Sequence, residues 1–291
     1  MRGRRSWLAT AALFCSVASV IAADGVASLQ QTAVPIAACR RGETGDTQDP
    51  NLAGGWSLEK AGGLQILCLT GTLEAVPPAE IAAALHGLDG ELVVVVRSTG
   101  GPVETWLTIA EWLIDRVDVL VVDEACLSSC ANYMMPVAKR VLVAEDGLVA
   151  WHGGPYRSED AITRPRPPDI AAIVVYEEQA GRTERLFRRL GIDVSILALS
   201  AIGPDPRTLD AVASALGLPA SPPPVVGGYA FSPARLAHCF GFRNVGEMWH
   251  AGDDLAVARL AQRRSRSLLV LESPFNRPGA GTDAPPRCGR R

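Results

Sequence analysis

The sequence predicts an α/β fold on a mainly parallel sheet, and three observations predict it. Leu92-Val93-Val94-Val95-Val96 is a continuous apolar run, the mark of a strand buried on both faces. Val117 to Val122 is a second such run. Between them Val103, Leu107, Ala110, Ile114 and Val117 recur at helical spacing and make one apolar stripe. A buried strand, an amphipathic helix and another buried strand read as a parallel unit.

The other elements follow in order. Leu64 to Leu69 is the first strong strand. Pro77-Pro78 opens a helix over Ala79 to Leu88, with Gly87 and Gly90 at its end. The Leu92–Val96 strand stops at Arg97-Ser98-Thr99-Gly100-Gly101, and the helix from Val103 to Arg116 follows. After the Val117–Val122 strand, a turn carrying Cys126-Leu127-Ser128-Ser129-Cys130 leads into apolar Ala131 to Val137. Arg140 to Val143 and Leu148 to Trp151 read as short strands. Arg157 to Pro168 is charged and proline-rich, hence a loop. Asp169 caps a helix to Leu190, which Gly191 ends. Ala220 to Gly228, with its proline run, reads as another loop, and Ser232-Pro233 opens a short helix through His238.

Four parts are expected: a signal peptide over 1–23, an irregular arm over 24–62, the α/β domain over 63–250, and a C-terminal helix with a flexible tail over 251–291. Arg2, Arg4 and Arg5 precede an uncharged run from Trp7 to Ala23, and the small residues Ala22 and Ala23 precede the first acid, Asp24. That pattern reads as an export signal expected to be cleaved after Ala22 or Ala23, with a retained anchor as the rival reading, which a longer and more apolar run would favour. No later segment is long and apolar enough to span a bilayer, so a periplasmic or secreted location is expected. The 291 residues carry a formal net charge of −3, which offers nucleic acid no attraction.

Removal of the signal leaves six cysteines, an even number that favours disulfides in an exported chain. Cys39–Cys68 and Cys239–Cys288 are the natural pairs, because each ties a flanking segment to the body. Cys126 and Cys130 fit either a bridge or two small buried side chains, and the second reading is preferred. A cysteine-only zinc site lacks a second close pair and a suitable histidine, so no metal is expected.

The chemistry gathers at strand ends. Ser128 lies 24 residues before His152, and Gly101 lies 27 residues before Ser128. A serine hydrolase needs a nucleophile, an imidazole to take its proton and N–H donors for the oxyanion. Parallel strands deliver their following loops to one edge of the sheet, where such groups can meet. Ser128 is the candidate nucleophile and His152 the candidate base. The Gly101 and Ser129 amides are candidates for the oxyanion hole. Each residue also has a plainer use. Ser128 suits a helix cap, His152 suits a strand end, and Gly100-Gly101 suits a tight turn. Trp106 and Trp112 read as packing residues, and His86, His238 and His250 have no partner pattern. Arg182, Arg185, Arg188 and Arg189 read as a solvated helix face, as do Arg263, Arg264 and Arg266.

At these positions the sequence resembles the Clp-protease/crotonase superfamily, in its exported bacterial branch. Arg97-Ser98-Thr99-Gly100-Gly101-Pro102-Val103 is similar to the family's Asn-Ser-Pro-Gly-Gly-Ser-Val. Cys126-Leu127-Ser128-Ser129-Cys130 is similar to the Cys-Ala-Ser-Ala-Cys of exported members. Lys139-Arg140 and Leu148 to His152 resemble the strand before the catalytic histidine. Phe231-Ser232-Pro233-Ala234-Arg235 to Phe240-Gly241-Phe242 resembles the closing segment, and the whole resemblance covers residues 64–245.

It implies a spiral of parallel strands and helices, a peptide or protein substrate, no cofactor, and self-association into a homo-oligomer. Ser128 takes the nucleophile position in preference to Ser129, because the flanking cysteines align only in that register. Where the peptidase branch carries an Asp before the closing segment, Pro222 to Gly228 has no carboxylate. Asp193, Asp205 and Asp210 are the remaining candidates for the third member. The resemblance therefore leaves a serine hydrolase and a non-catalytic binding protein of the same fold as the two readings. A coenzyme A-type acyl enzyme ranks behind both.

Overall fold

The computed structural model describes residues 32–41, 54–74, 76–156, 170–199, 202–219, 224–264, 268–274 and 288. The signal segment, the Arg157–Pro168 loop, Asp169, Arg266 and almost all of the tail lie outside the described residues. Four strands run parallel in the order β2 (Leu64–Thr70), β3 (Leu92–Ser98), β4 (Val117–Leu127) and β5 (Arg140–Val143). Strand β4 is long enough to take a second parallel neighbour, β6 (Leu148–Ala150), beside its C-terminal end. An α/β architecture with a mostly parallel sheet is thus present.

The described residues of the arm expected to be irregular hold regular structure. Residues 32–40 form helix α1, and β1 (Gly55–Ala61) pairs antiparallel with β2. Alternation along the strands shows why these elements are needed. Leu67, Leu69, Val94, Val96, Leu120 and Val122 face one core, shared with helices α3 (Val103–Leu113) and α4 (Ser129–Val137). Ile66, Cys68, Val93, Val95, Val119 and Val121 face a second core, which Ala38 and Cys39 of α1 join. The uninterrupted valines of β3 are buried on both sides because α1 covers one of them.

Two ties hold α1 there. Cys39 is bonded to Cys68 of β2. Arg40 meets the Asp123 carboxylate through two hydrogen bonds, 2.7 and 3.0 Å long, and also reaches Glu124. Asp123 and Glu124 sit where β4 bulges: Val122 pairs with Val96, but the next pair is Cys126 with Ser98. A bulge bends its strand and re-aims whatever follows, here Cys126 to Ser128.

The remaining helices are α2 (Pro78–Leu85), α5 (Ile170–Leu190), α6 (Ser195–Leu199), α7 (Pro206–Ala215), α8 (Pro233–Phe240) and α9 (Asp254–Arg264). None of the described helices is long and apolar enough to cross a membrane. The expected loop before Gly228 contains strand β7 (Val226–Tyr229), which pairs with β8 (Leu269–Leu271) in the segment expected to hold only a helix and tail.

Arg182 is no solvated residue. Its guanidinium binds Glu104, Thr108 and both oxygens of Glu111, locking α5 onto α3. Arg185, Arg188 and Arg189 are exposed as expected, and Arg189 pairs with Asp115. Arg263 makes an exposed pair with Asp146, while Arg264 pairs with Glu124. Trp106 is a buried core residue, whereas Trp112 is 38% exposed.

The Cys39–Cys68 bond closes a loop with a sequence separation of 29. Chain-entropy arguments value a loop of that size at roughly 3.5 kcal/mol. A Cys39→Ala/Cys68→Ala variant should lose about that much in urea unfolding, most of it as a lower midpoint. An unchanged midpoint would mean that α1 does not cover the sheet in solution.

Candidate active site

The C-terminal ends of β2, β3, β4 and β6 lie at one edge of the sheet, and the sequence-predicted residues lie on the segments that leave it. The Ser128 N–H donates to Ala150 O (2.9 Å), extending the β4–β6 pairing by one step. His152 is two residues past Ala150, on the neighbouring segment, and its side chain is exposed. The Trp151 segment is flanked in turn by Tyr229 of β7, through a pair of backbone hydrogen bonds.

Ser128 is not a capping residue, although it occupies the N-cap position of α4. Its side chain makes no capping bond, and its backbone stands at φ 57° and ψ −125°. An L-residue adopts that conformation at a cost, and such strain gathers where a side chain must be presented at a sharp strand-to-helix turn. Three features impose it. The backbone is bonded on both sides, to Ala150 O and through Ser128 O to the Asn132 N–H. Cys126 and Cys130 bracket the turn and are joined to each other. Gly100 packs so closely that a Cβ there would stand 2.7 Å from Ser128 Cβ and 2.8 Å from Leu127 O. The preferred reading of Cys126 and Cys130 as free buried side chains is therefore corrected. Cys126 lies near the end of β4 and Cys130 in the first turn of α4, so the bond spans the strand-to-helix turn.

The Gly100-Gly101 turn lies directly against Ser128-Ser129. Gly101 stands at φ 134°, and a Cβ there would overlap Thr72 O. The turn is held from below by Ser98, which is fully buried. Its hydroxyl donates to Gly71 O (2.5 Å) and accepts from the Gly100 N–H (2.9 Å). Ser129 Oγ donates to Gly101 O (2.9 Å), and Ser129 is only 4% exposed. That hydroxyl is a tie between the two turns. Among the described residues, the N–H groups of Gly101 and Ser129 have no hydrogen-bond partner. Unpartnered N–H groups of this kind can receive a developing negative charge.

Other expected residues are not brought together. Ser128 and His152 share no hydrogen bond, and among the described residues the His152 ring has no partner of any kind. The Asp193 carboxylate accepts from the Ser195 N–H, and Asp205 caps α7 by accepting from the Arg207 and Thr208 N–H groups. Asp210 is exposed on α7. None of the three carboxylates bonds His152. His250 is engaged elsewhere, with Nε2 2.7 Å from Ala230 O. No group of three or more His, Cys, Asp or Glu side chains among the described residues could hold a metal ion.

Sequence reasoning missed Ser98 and Asn132. Asn132 sits one turn into α4, and its Nδ2 donates to Gly153 O (2.9 Å), next to His152. Tyr133 of the same helix shares a hydrogen bond with Thr183 of α5. Burial pushes its phenol above the ordinary value against the opposing pull of Thr183, so it stays neutral. Compared with known proteins, the chain matches no family model and no curated protein.

The strained turn has a measurable signature. Glycine accepts φ 57° without penalty and alanine does not. Ser128→Gly should exceed Ser128→Ala in stability by about 1 kcal/mol in urea unfolding. Equal stabilities would mean that the turn relaxes in solution.

Proposed function

We propose that this chain is an exported serine hydrolase, peptidase-like, on a Clp/crotonase-type spiral of strands and helices. The observation that carries the reading is Ser128 itself. It is a non-glycine residue held at positive φ, with no capping bond, beside two unpartnered amides. A cap or a simple turn needs none of those three features together.

In the proposed reaction Ser128 Oγ attacks the carbonyl carbon of a peptide. A C–O bond forms as the carbonyl π pair moves onto oxygen, and the Gly101 and Ser129 N–H groups receive that charge. One such donor is typically worth about 3 kcal/mol of transition-state stabilisation. His152 accepts the hydroxyl proton and delivers it to the departing amine. Water then attacks the acyl-serine ester by the same route, giving the carboxylic acid and regenerating Ser128. The scheme draws on no metal or organic cofactor.

The three bonded cysteine pairs support an oxidising compartment, and we read the location as periplasmic or secreted. A second reading is favoured by one specific observation: the His152 ring has neither Ser128 nor a carboxylate as a partner. On that reading the same edge binds a peptide or cell-envelope partner without turning it over.

A fluorophosphonate probe should label the folded chain at Ser128 alone, with labelling abolished in Ser128→Ala and lowered about 100-fold or more in His152→Ala. Failure of the folded wild-type chain to label would favour the binding protein.

A further inference from the structure

Asn132 is buried, at 1% exposure, and its backbone N–H donates to Ser128 O (2.9 Å). Its side-chain Nδ2 donates to the carbonyl of Gly153, the residue after His152 (2.9 Å). That assignment is forced, because a carbonyl oxygen accepts only from the NH2 end of the amide. A Cβ on Gly154 would stand 2.8 Å from the same Nδ2. The segment that bears His152 therefore packs closely on the Asn132 amide. The other end of the amide, Oδ1, is wholly buried and has no hydrogen-bond partner among the described residues. A buried acceptor without a partner costs stability and calls for a use.

His152 needs such an acceptor. An imidazole takes a serine proton on one nitrogen only when the other keeps its own proton, and a hydrogen bond to that second N–H sets the tautomer. The three candidate carboxylates are caps or exposed, and among the described residues His152 makes no ion pair.

We propose that Asn132 is the positioning residue for His152. Its Nδ2 anchors the segment at Gly153, and its Oδ1 is the acceptor taken up by the imidazole N–H as the ring turns toward Ser128. The inference rests on the reading of Ser128 and His152 as a working pair. A neutral amide in this role orients the ring as the Asn of a Cys-His-Asn arrangement does.

The test is a 15N-imidazole NMR titration of His152 in the full folded chain, run beside fluorophosphonate labelling. It compares wild type with Asn132→Asp and Asn132→Leu. His152→Ala assigns the signal among the four histidines. Asn132→Asp is close to isosteric, gives up the Nδ2 donor to Gly153 O, keeps an acceptor oxygen and sets a carboxylate beside the ring. It should raise the His152 pKa by about one unit and carry the acid limb of the labelling–pH profile upward with it. Asn132→Leu should slow labelling about 100-fold with the circular dichroism spectrum unchanged. A His152 titration unmoved by Asn132→Asp, or wild-type labelling in folded Asn132→Leu, would overturn the proposal. A shifted titration in a chain that never labels would support Asn132 and sink the hydrolase reading alone.

Discussion

Ser128 holds φ 57° and ψ −125°, and the way its side chain and the Ser129 N–H are presented at the candidate site depends on that one backbone conformation. The turn lifts the side chain off the end of β4, and α4 begins at Ser129, whose N–H has no carbonyl behind it. It also brings the chain against Gly100, which only glycine allows at that distance. A non-glycine residue in such a region costs on the order of 1–3 kcal/mol and persists only where its surroundings leave no alternative. Here the surroundings are a bulged strand, a disulfide across the turn and hydrogen bonds on both sides. Each is an ordinary interaction, and together they leave the serine one way to sit.

The same logic extends outward through close backbone contacts. Gly54 packs against Thr70, Gly71 and Leu73, at distances that exclude a Cβ. Gly71 accepts from the Ser98 hydroxyl, and Thr72 meets Gly101. The start of β1, the end of β2 and the Gly100-Gly101 turn thus form a stack that ends on Ser128. Helix α1 and the Cys39–Cys68 bond cover the sheet behind it. Helix α1, Gly54 and strand β1 are therefore part of the support of the candidate site.

How much of this is legible in the sequence depends on whether the signal is local. Strands β2, β3 and β4 and helix α3 are legible, because apolar runs and a helical stripe need no knowledge of the partner. Helix α1 is not, because Ala38 and Cys39 look apolar only by comparison with the second sheet face they cover. Strand β7 hides behind the proline run and its own two glycines. Gly228 belongs there because a Cβ would stand 2.7 Å from Trp151 O, a contact set by tertiary packing. Helix α7 does carry a local signal, Asp205 before Pro206, but an Asp there suits a catalytic acid as well as a cap until its bonds to the Arg207 and Thr208 N–H groups are seen. The identities of Ser128, His152 and Gly101 can be proposed from order and spacing. The positive φ of Ser128 and the half-used amide of Asn132 cannot, since each is a property of the assembled edge, and only that edge decides for the bridge between Cys126 and Cys130 over two free side chains.

The most direct measurement is a crystal structure of the chain after exposure to a phosphonate inhibitor. The account predicts a bond from Ser128 Oγ to phosphorus, with Ser128 still at positive φ. The phosphonyl oxygen should lie about 2.7–3.1 Å from both the Gly101 and Ser129 nitrogens. A Ser128 relaxed to ordinary helical or extended angles, or a phosphonyl oxygen turned away from those amides into solvent, would contradict it.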